Sequence, residues 1–409
     1  MVDPGEIRIA DFDYLLPVER IAQFPLTERD ASKLLICRQG IISHDVFSNI
    51  DRYFPEKSLL VFNNTRVIRA RILLNKATGA QIEIFCLEPI APVTEIQAAF
   101  HQQNGSTWKC LVGNLKRWRS GMLSRTCMHE GRPHRLFAER LYKTGDGSQA
   151  ISFRWDPPEK TFSEILEITG LIPLPPYIHR PMEPSDTLRY QTVYATHEGS
   201  VAAPTAGLHF SESLLNRLKN RGFGTEKVTL HVGVGTFRPV SVTKIRDHVM
   251  HPEKIVVSRK TVRRLLNNLH RPVIAVGTTS ARTLESIYWL GVRLITDGHG
   301  MATKVSQWDP YPGSHQDGIK TDQSLEAVHQ YMVSQGLEEY SGETQLMIVP
   351  GYRFRLVSGL VTNFHLPQST LLLLVAAMVG DEWKKAYEYA LSNDFRFLSY
   401  GDACLFINS

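Results

Sequence analysis

The chain has 409 residues, of which 43% are hydrophobic and 21% charged, and its formal net charge is +5 at pH 7. The length predicts two domains, and the composition is that of an ordinary soluble protein. Five scattered cysteines, none spaced as CxxC, exclude a disulfide framework and a cysteine zinc site. The mild positive charge permits a polyanionic partner without requiring one.

The N-terminal residues lack the pattern of a signal peptide, and no apolar run is long enough to span a membrane. The first residues, MVDPGEIRIADFDYLL, have acids and a proline where a signal peptide needs a basic start and an apolar run. The longest apolar run, 371–380, is about half of the roughly 20 residues that span a bilayer. We expect a cytoplasmic protein with no membrane partner.

A buried strand is predicted at 58–62, and a polar turn at 63–66 follows its carboxyl end. Arg66 in that turn could offer a guanidinium fork to a carboxylate or a phosphate. Polar residues in such turns more often only satisfy the backbone, so both interpretations stay open.

Residues 73–155 predict a small all-β domain inserted into α/β material. Short alternating runs there are broken by Gly, Asn and Pro, with little helical periodicity. Between Trp108 and Lys143, nine Lys or Arg residues stand against two acids, and Trp118 lies among them. This surface could face RNA and stack bases, or be a solvated β surface protected by its charges. Residues 1–72 and 156–409 are assigned to one discontinuous α/β catalytic domain.

A proline-rich segment, LIPLPPYIHRP (171–181), follows a short predicted helix at 162–168. Its four prolines enforce an extended backbone. Tyr177 and Arg180 could line a binding groove, or the segment could be a rigid strap that packs the junction between domains.

The stretch 201–236 is the centre of the functional prediction. Its pattern predicts a loop, a helix capped by Ser211 and a half-buried strand. The loop and the strand end should lie at the sheet edge where open α/β proteins bind ligands. His209 on the loop and His231 at the strand end should therefore face one crevice. The same loops supply the candidate substrate-binding residues Thr205, Gly207, Gly233 and Gly235, where glycine lets a ligand approach the backbone.

An Asp-His-x-x-His pattern follows at Asp247, His248 and His251. The spacing invites a metal site, but it lacks the HExxH arrangement and an obvious third ligand. We interpret His248, with Asp247, as an acid–base or hydrogen-bonding group and expect no metal.

Two later strand ends also present polar groups. The strand at 271–276 breaks at Gly277 into a helix that should begin near Ala281. The intervening hydroxyl-rich turn, at a helix N-terminus, is a natural anion site, although many such turns bind nothing. The turn and helix supply Thr278, Thr279, Ser280 and, on one helix face, Arg282 and Glu285.

The strand at 357–361 ends in a segment that carries Asn363 and His365, before a helix near Gln368 that Ser369 or Thr370 could cap. No GxGxxG follows a strand, and the sequence has neither a P-loop nor a GxSxG elbow. The residues alone therefore indicate an α/β enzyme with one crevice and identify no reaction.

Eight strings together resemble the S-adenosylmethionine:tRNA ribosyltransferase-isomerase family, which acts in queuosine biosynthesis. They are LVFNNTRVI (60–68), PLPPYI (173–178), YQTVY (190–194), VAAPTAGLHF (201–210), VTLHVGVGTFRPV (228–240), AVGTTSARTLES (275–286), LVTNFHLPQSTLLLL (360–374) and SYGDA (399–403). The likeness covers nearly the whole chain in the right order.

The resemblance implies a large α/β domain with a barrel-like sheet, plus a small β-barrel. It implies that S-adenosylmethionine is consumed as a ribosyl donor, so no cofactor is expected. The acceptor would be the aminomethyl group of 7-aminomethyl-7-deazaguanine at the tRNA wobble position. Epoxyqueuosine-tRNA, adenine and methionine would be the products, and we expect a monomer.

The implied reaction needs a base for the protons beside the sulfonium and a proton donor for adenine. His209 and His231 are the candidates in either order, Asp247 or His248 could assist, and Glu285 is a second base candidate. Arg66, Arg282 and the turn 278–280 could hold the methionine carboxylate or a tRNA phosphate. Asn363 and His365 could contact ribose or base.

Three alternatives stay open. The chain reads Lys33-Leu-Leu and Val67-Ile-Arg69-Ala-Arg71 where members commonly have Arg-Leu-Leu and Val-Ile-Pro-Ala-Arg, which could mark a paralogue with another acceptor. A non-catalytic tRNA-binding protein would keep the basic insertion and need no polar crevice. A metal-dependent hydrolase would use His248 and His251.

Overall fold

The computed structural model describes residues 4–76, 78–145, 147–233, 240, 242–298, 304–311 and 318–407. Gly235, one of the predicted ligand-approach glycines, lies outside these residues. The architecture is mixed α/β, with one large sheet and one small barrel, which confirms the predicted fold class. None of the helices in the described ranges has both the length and the apolar character needed to cross a bilayer.

Strands occur along the whole described chain. The first are β1 (Lys33–Arg38), β2 (Ile41–Val46), β3 (Leu59–Asn63) and β4 (Thr65–Val67). Next come β5 (Arg71–Asn75), β6 (Gln81–Ala91), β7 (Ser106–Gly113), β8 (Leu123–His129), β9 (Arg132–Lys143), β10 (Gln149–Asp156) and β11 (Gly170–Leu171). The last are β12 (His197–Ser200), β13 (Gly224–His231), β14 (Glu253–Ser258), β15 (Val273–Val276), β16 (Lys304–Val305), β17 (Glu339–Thr344), β18 (Gly359–Asn363) and β19 (Ala403–Ile407).

Helices lie mainly in the second half of the chain. They are α1 (Ile96–Phe100), α2 (Phe162–Thr169), α3 (Asp186–Arg189), α4 (Glu212–Asn220), α5 (Arg259–Asn267), α6 (Thr278–Thr296), α7 (Thr321–Ser334), α8 (Thr370–Val379) and α9 (Glu382–Ser392). Short 3-10 helices are Pro4–Glu6, Ile9–Phe12, Val18–Arg20, Arg29–Ala31, Phe47–Arg52, Leu115–Arg117, Thr205–His209 and Ile245–Asp247.

The large sheet has the strand order β16-β17-β14-β13-β3-β15-β18-β19-β1-β2. At its centre β13, β3, β15 and β18 are mutually parallel, so their carboxyl ends share one edge. β19 runs antiparallel to β18 and pairs Ala403 with Asn363, while β1 pairs Leu34 with Ala403. The amino ends of β1 and β19 therefore reach the same edge, and segments distant in sequence meet there.

Helices cover both faces of this sheet, which explains why β3, β15 and β18 are buried along their whole length. On one face, Leu214 and Leu218 of α4 join a buried cluster with Leu60 and Phe62 of β3. On the other face, α6 and α8 belong to a second cluster that includes Leu59 and Val61 of the same strand. Alternate residues of β3 therefore pack into two different cores, one on each face of the sheet.

Predicted caps are confirmed, and one helix start differs from the prediction. The Ser211 hydroxyl accepts from Leu214 N at 3.1 Å, and Ser369 accepts from Leu372 N at 3.2 Å. Helix α6 begins at Thr278 rather than near Ala281. Gly277 adopts φ 92°, which lets the chain turn from strand to helix within one residue.

Strands β5, β6, β7, β10, β9 and β8 form the barrel, closed by a pairing of Asn75 in β5 with Ser124 in β8. Both Trp108 and Trp118 are fully buried in it, and their indole nitrogens donate to Ser106 Oγ and Gly121 O, each at 2.8 Å. The idea that these two rings stack RNA bases is therefore wrong, because their faces already pack against the core. The boundary at residues 73–155 stays a prediction.

Candidate active site

A cleft opens at the sheet edge where β15 and β18 end. It contains about 780 Å³ of empty space, a figure that includes open solvent at its mouth. Six of the predicted site residues line this cleft, namely Tyr177, Thr205, Thr278, Thr279, Asn363 and His365. Apolar walls come from Val232, Phe364, Leu366 and Leu371. The fold thus brings together predicted site residues from four separate segments of the chain.

Three residues that line the cleft, Asn363, Thr279 and Tyr190, each have a buried side-chain oxygen without a hydrogen-bond partner among the described residues. Asn363 is 2% exposed, and its amide nitrogen donates to His209 Nε2 at 3.0 Å and to Leu398 O at 3.3 Å. Its Oδ1 is buried without a hydrogen bond to any described residue, and the same holds for Thr279 Oγ1. Leaving such a group unsatisfied costs about 1–3 kcal/mol. A polar ligand in the cleft would remove that penalty at both atoms.

His209 lies behind Asn363 and does not line the cleft. Its Nδ1 is 2.8 Å from Ser32 Oγ, on the segment that enters β1. Because the Asn363 amide nitrogen donates to Nε2, the imidazole proton is assigned to Nδ1, which donates to Ser32. Burial, and next the nearby Arg396, lower the pKa of His209 to about 3, so the ring is neutral at pH 7.

His231 points away from the cleft, which corrects the prediction that two imidazoles face one crevice. Its Nδ1 is 3.0 Å from Thr65 Oγ1, and a side chain at Gly199 would meet the ring at 3.0 Å. The next residue, Val232, lines the cleft, and neighbouring residues of an extended chain point to opposite sides. Burial lowers the pKa of His231 to about 4.

His365 does line the cleft. Its Nε2 is 2.8 Å from Thr362 Oγ1, and its backbone nitrogen donates to the Tyr387 hydroxyl at 3.0 Å. Burial lowers its pKa to about 3. No Asp, Glu, Lys or Arg of the described chain lines the cleft, so His365 is the titratable nitrogen available there.

Glu285 anchors the protein interior instead of facing the cleft. Its carboxylate accepts from Tyr352 Oη at 2.7 Å and from the backbone nitrogens of Arg355, Leu356 and Val357 at 2.9, 3.0 and 3.0 Å. Burial raises its pKa, opposed by these four donors. The residue holds the chain that leads into β18, and this geometry leaves no oxygen directed at a substrate.

The other predicted residues of α6 are also engaged. Arg282 pairs with Glu253 and donates to Leu346 O at 3.1 Å, so its charge is locally balanced. Ser280 Oγ donates to Val276 O at 2.7 Å within the turn. Arg282 Nη2 is buried without a hydrogen-bond partner in the described chain, but neither Arg282 nor Ser280 lines the cleft, whereas Thr278 and Thr279 do.

The remaining predicted residues lie outside the cleft lining. Arg66 is 49% exposed at its side chain and 3.9 Å from Glu198. Asp247 ends a 3-10 helix, and the adjoining His248 carbonyl accepts from Gln307. Burial, and then His251, lower the pKa of His248. In the described ranges, no group of three His, Cys, Asp or Glu residues could hold a metal.

The two described glycines have different roles. A side chain at Gly207 would lie 2.0 Å from the Tyr194 hydroxyl, so glycine is required there for internal packing. Gly233 has open space around its Cα, and its backbone nitrogen donates to Glu253 Oε1 at 3.3 Å. Neither residue lines the cleft, although both flank segments that do.

A smaller cavity behind the cleft was missed by sequence reasoning. It is lined by Arg29, Arg189 and Arg396, together with His209 and Ser399, and Ser399 also lines the cleft. The three arginines come from the N-terminal segment, the chain before YQTVY and the tail. No local pattern links residues so far apart, and only the meeting of β1, β18 and β19 at one edge gathers them.

Comparisons with known proteins match nearly the whole chain. A family model described as "Queuosine biosynthesis protein" matches residues 9–406. The chain is 40% identical over 400 residues to the S-adenosylmethionine:tRNA ribosyltransferase-isomerase of Pelobacter propionicus, covering 97% of this chain and 98% of that protein. It is 37% identical over 404 residues to the protein of the same name from Trichlorobacter lovleyi, covering 98% and 99%. A solved S-adenosylmethionine tRNA ribosyltransferase from Thermotoga maritima is 30% identical, with a TM-score of 0.45 and coverage of 97% and 99%.

Proposed function

Because the chain belongs to the S-adenosylmethionine:tRNA ribosyltransferase-isomerase family, we propose that it modifies the wobble position of tRNA in queuosine biosynthesis. It transfers and isomerises the ribosyl part of S-adenosylmethionine onto the aminomethyl group of 7-aminomethyl-7-deazaguanine. The products are epoxyqueuosine-tRNA, adenine and methionine. The observation that carries this function is the family match over residues 9–406, with 40% identity across nearly all of both chains.

We place the reaction in the cleft at the ends of β15 and β18. Ribose hydroxyls and adenine nitrogens are donors and acceptors of the kind that Asn363 Oδ1 and Thr279 Oγ1 require. Loss of a proton next to the sulfonium gives a centre with no net charge. The positive charge passes to the group that accepts the proton, so the apolar walls at Phe364, Leu366 and Leu371 shield the step from water without changing the net charge of the cleft.

His365 is our candidate for the group that accepts this proton. It lines the cleft, and its lowered pKa keeps it unprotonated at neutral pH. His209 is assigned a positioning role instead, since it touches Asn363 and not the cleft. These two assignments replace the acid–base pair predicted from the sequence. The low pKa of His365 also predicts that turnover shows no acidic limb centred near pH 6.5.

The test of the function is an assay of wild-type protein with S-adenosylmethionine and tRNA carrying the 7-deazaguanine precursor. Adenine and methionine should appear in equal amounts, and digested tRNA should contain epoxyqueuosine. Binding of tRNA without adenine release would support a non-catalytic protein. Adenine release that requires a different acceptor would support a paralogue.

The His365 assignment has its own variant test. His365→Gln should lower the rate of adenine release by about 10²–10⁴, the usual contribution of a positioned acid or base. His44→Gln is the matched control, because His44 lies on the outer strand β2 with an exposed side chain. Binding of S-adenosylmethionine by the His365 variant, measured by calorimetry, separates loss of chemistry from loss of the site.

We further propose a cytoplasmic monomer that needs no cofactor apart from the S-adenosylmethionine it consumes. In support, the residues that line the cleft come from several segments of this one chain. Sedimentation at assay concentration tests the monomer. Activity of dialysed protein with the two substrates alone tests the absence of a cofactor.

A further inference from the structure

The cavity behind the cleft is formed around three guanidinium groups. Arg29, Arg189 and Arg396 line it, and it contains about 310 Å³ of empty space that is partly open to solvent. Ser399 separates it from the cleft and lines both. A ligand that occupied both spaces would therefore reach past this one serine.

Backbone carbonyls hold these arginines in place without neutralising them. Arg29 donates to Leu208 O at 3.2 Å and to Leu188 O at 2.8 Å. Arg189 donates to Thr27 O at 2.8 Å, and its buried Nε has no hydrogen-bond partner within the described chain. The guanidinium planes are thus oriented in advance, which lowers the entropy lost when they bind an anion.

Little negative charge opposes the three cations. Among the described residues, Arg29 and Arg189 form no ion pair within 4.0 Å, and Arg396 stands 4.0 Å from Asp402. The Asp402 carboxylate already accepts from the backbone nitrogens of Lys33 and Arg396, at 2.9 and 2.7 Å. The acid that lines the cavity, Glu28, is exposed to solvent.

The pKa values of Arg29 and of the neighbouring His209 reflect the repulsion from these cations. Burial, and next the guanidinium of Arg189, lower the pKa of Arg29. Arg396 contributes, after burial, to the lowered pKa of His209. A cavity with this field attracts anions, and a bound anion would relieve the repulsion.

We propose that this arginine cavity binds a backbone phosphate of the substrate RNA, next to the nucleotide whose base enters the cleft. The inference rests on the proposed function, because it takes tRNA as the substrate. A base and its phosphate share one ribose, so a base held in the cleft brings its phosphate close to Ser399. A guanidinium group can donate two parallel hydrogen bonds to the oxygens of one phosphate. Such contacts fix the position of the RNA on the protein but do not distinguish its base sequence.

The carboxylate of S-adenosylmethionine is the competing anion. Its amino-acid end also carries an ammonium group, which needs an acceptor and which three guanidinium groups repel. The exposed Glu28 is the one acid on the cavity wall in the described chain. A phosphodiester has no cationic group, so it fits the charge of the cavity better.

The experiment measures binding of an anticodon stem-loop RNA with the modified wobble base, as a function of salt. Arg189→Gln and Arg396→Gln should each weaken binding about tenfold and reduce the slope of log Kd against log salt by about 0.7–1. KM for S-adenosylmethionine should stay unchanged. Arg189→Lys should keep the salt slope while losing affinity, because it keeps the charge and loses the fork.

Arg38→Gln is the matched control, since Arg38 is exposed at the opposite end of β1. Thermal melting checks that each variant folds. If Arg189→Gln does not fold, the RNA binding of Arg396→Gln decides the question. Unchanged RNA affinity and slope would overturn the proposal, as would a raised KM for S-adenosylmethionine with normal RNA binding. Adenine release by wild-type protein decides the proposed function separately.

Discussion

Replacing Glu285 with Gln tests whether this residue anchors the fold or acts on the substrate. The Glu285 carboxylate accepts four hydrogen bonds and is fully buried. Glutamine has the same shape, but one of its two terminal atoms is a donor, so two of the four native donors lose their acceptor. A hydrogen bond to a charged group contributes about 1.5–3 kcal/mol, so we expect a loss of about 3–6 kcal/mol.

Urea unfolding of wild type and Glu285→Gln measures this loss, and Glu388→Gln, at an exposed position of α9, is the control. A surface substitution of that kind should stay within about 0.5 kcal/mol of wild type. At a temperature where the Glu285 variant is fully folded, it should still release adenine. Wild-type stability combined with lost turnover would refute the anchoring role and restore Glu285 as a catalytic base.

Three further outcomes are expected. Burial lowers the pKa of His209 and His365 to about 3, below the unfolded value near 6.5. The unfolded state binds protons at these histidines as the pH falls below 6.5, so the free energy of unfolding decreases by about 2 kcal/mol per histidine at pH 5. Because His209→Gln removes one of the two histidines, its urea midpoint should decrease less than that of wild type as the pH is lowered from 7 to 5. Trp118→Ala should lose about 3–5 kcal/mol of stability with unchanged tRNA affinity, and weaker tRNA binding by the folded variant would contradict its core position. Adenine release should be the same with and without EDTA, and loss of activity that zinc restores would revive the metal site at His248 and His251.

Local sequence signals predicted the fold well wherever short-range physics decides the structure. Caps at Ser211 and Ser369 depend only on a hydroxyl placed three residues before a free backbone nitrogen. The start of α6 was placed three residues late, because the tight turn depends on the backbone angle that Gly277 adopts. The full extent of that helix is set by burial against α7 and neighbouring loops, which no local pattern reports.

The site was predicted in part. The prediction that polar residues at strand ends lie together is correct for Asn363, His365 and the Thr278–Thr279 turn, because the carboxyl ends of parallel strands meet at one edge of the sheet. The direction of His231 was wrong, since a shift of one residue along a strand exchanges its two faces. Trp108, on β7, was open to the same ambiguity, whereas Trp118 follows a 3-10 helix and its burial depends on tertiary packing. The arginine cavity could not be predicted, because its three members meet only through the packing of β1, β18 and β19.

The central claim is that S-adenosylmethionine reacts in the cleft at the ends of β15 and β18. A crystal structure with S-adenosylmethionine bound, in the absence of acceptor tRNA, tests it most directly. The account predicts adenosyl or ribosyl polar atoms within about 2.7–3.2 Å of Asn363 Oδ1 and Thr279 Oγ1, with the sulfonium carbon facing His365. S-adenosylmethionine bound elsewhere, with these two atoms still unpartnered, would contradict it.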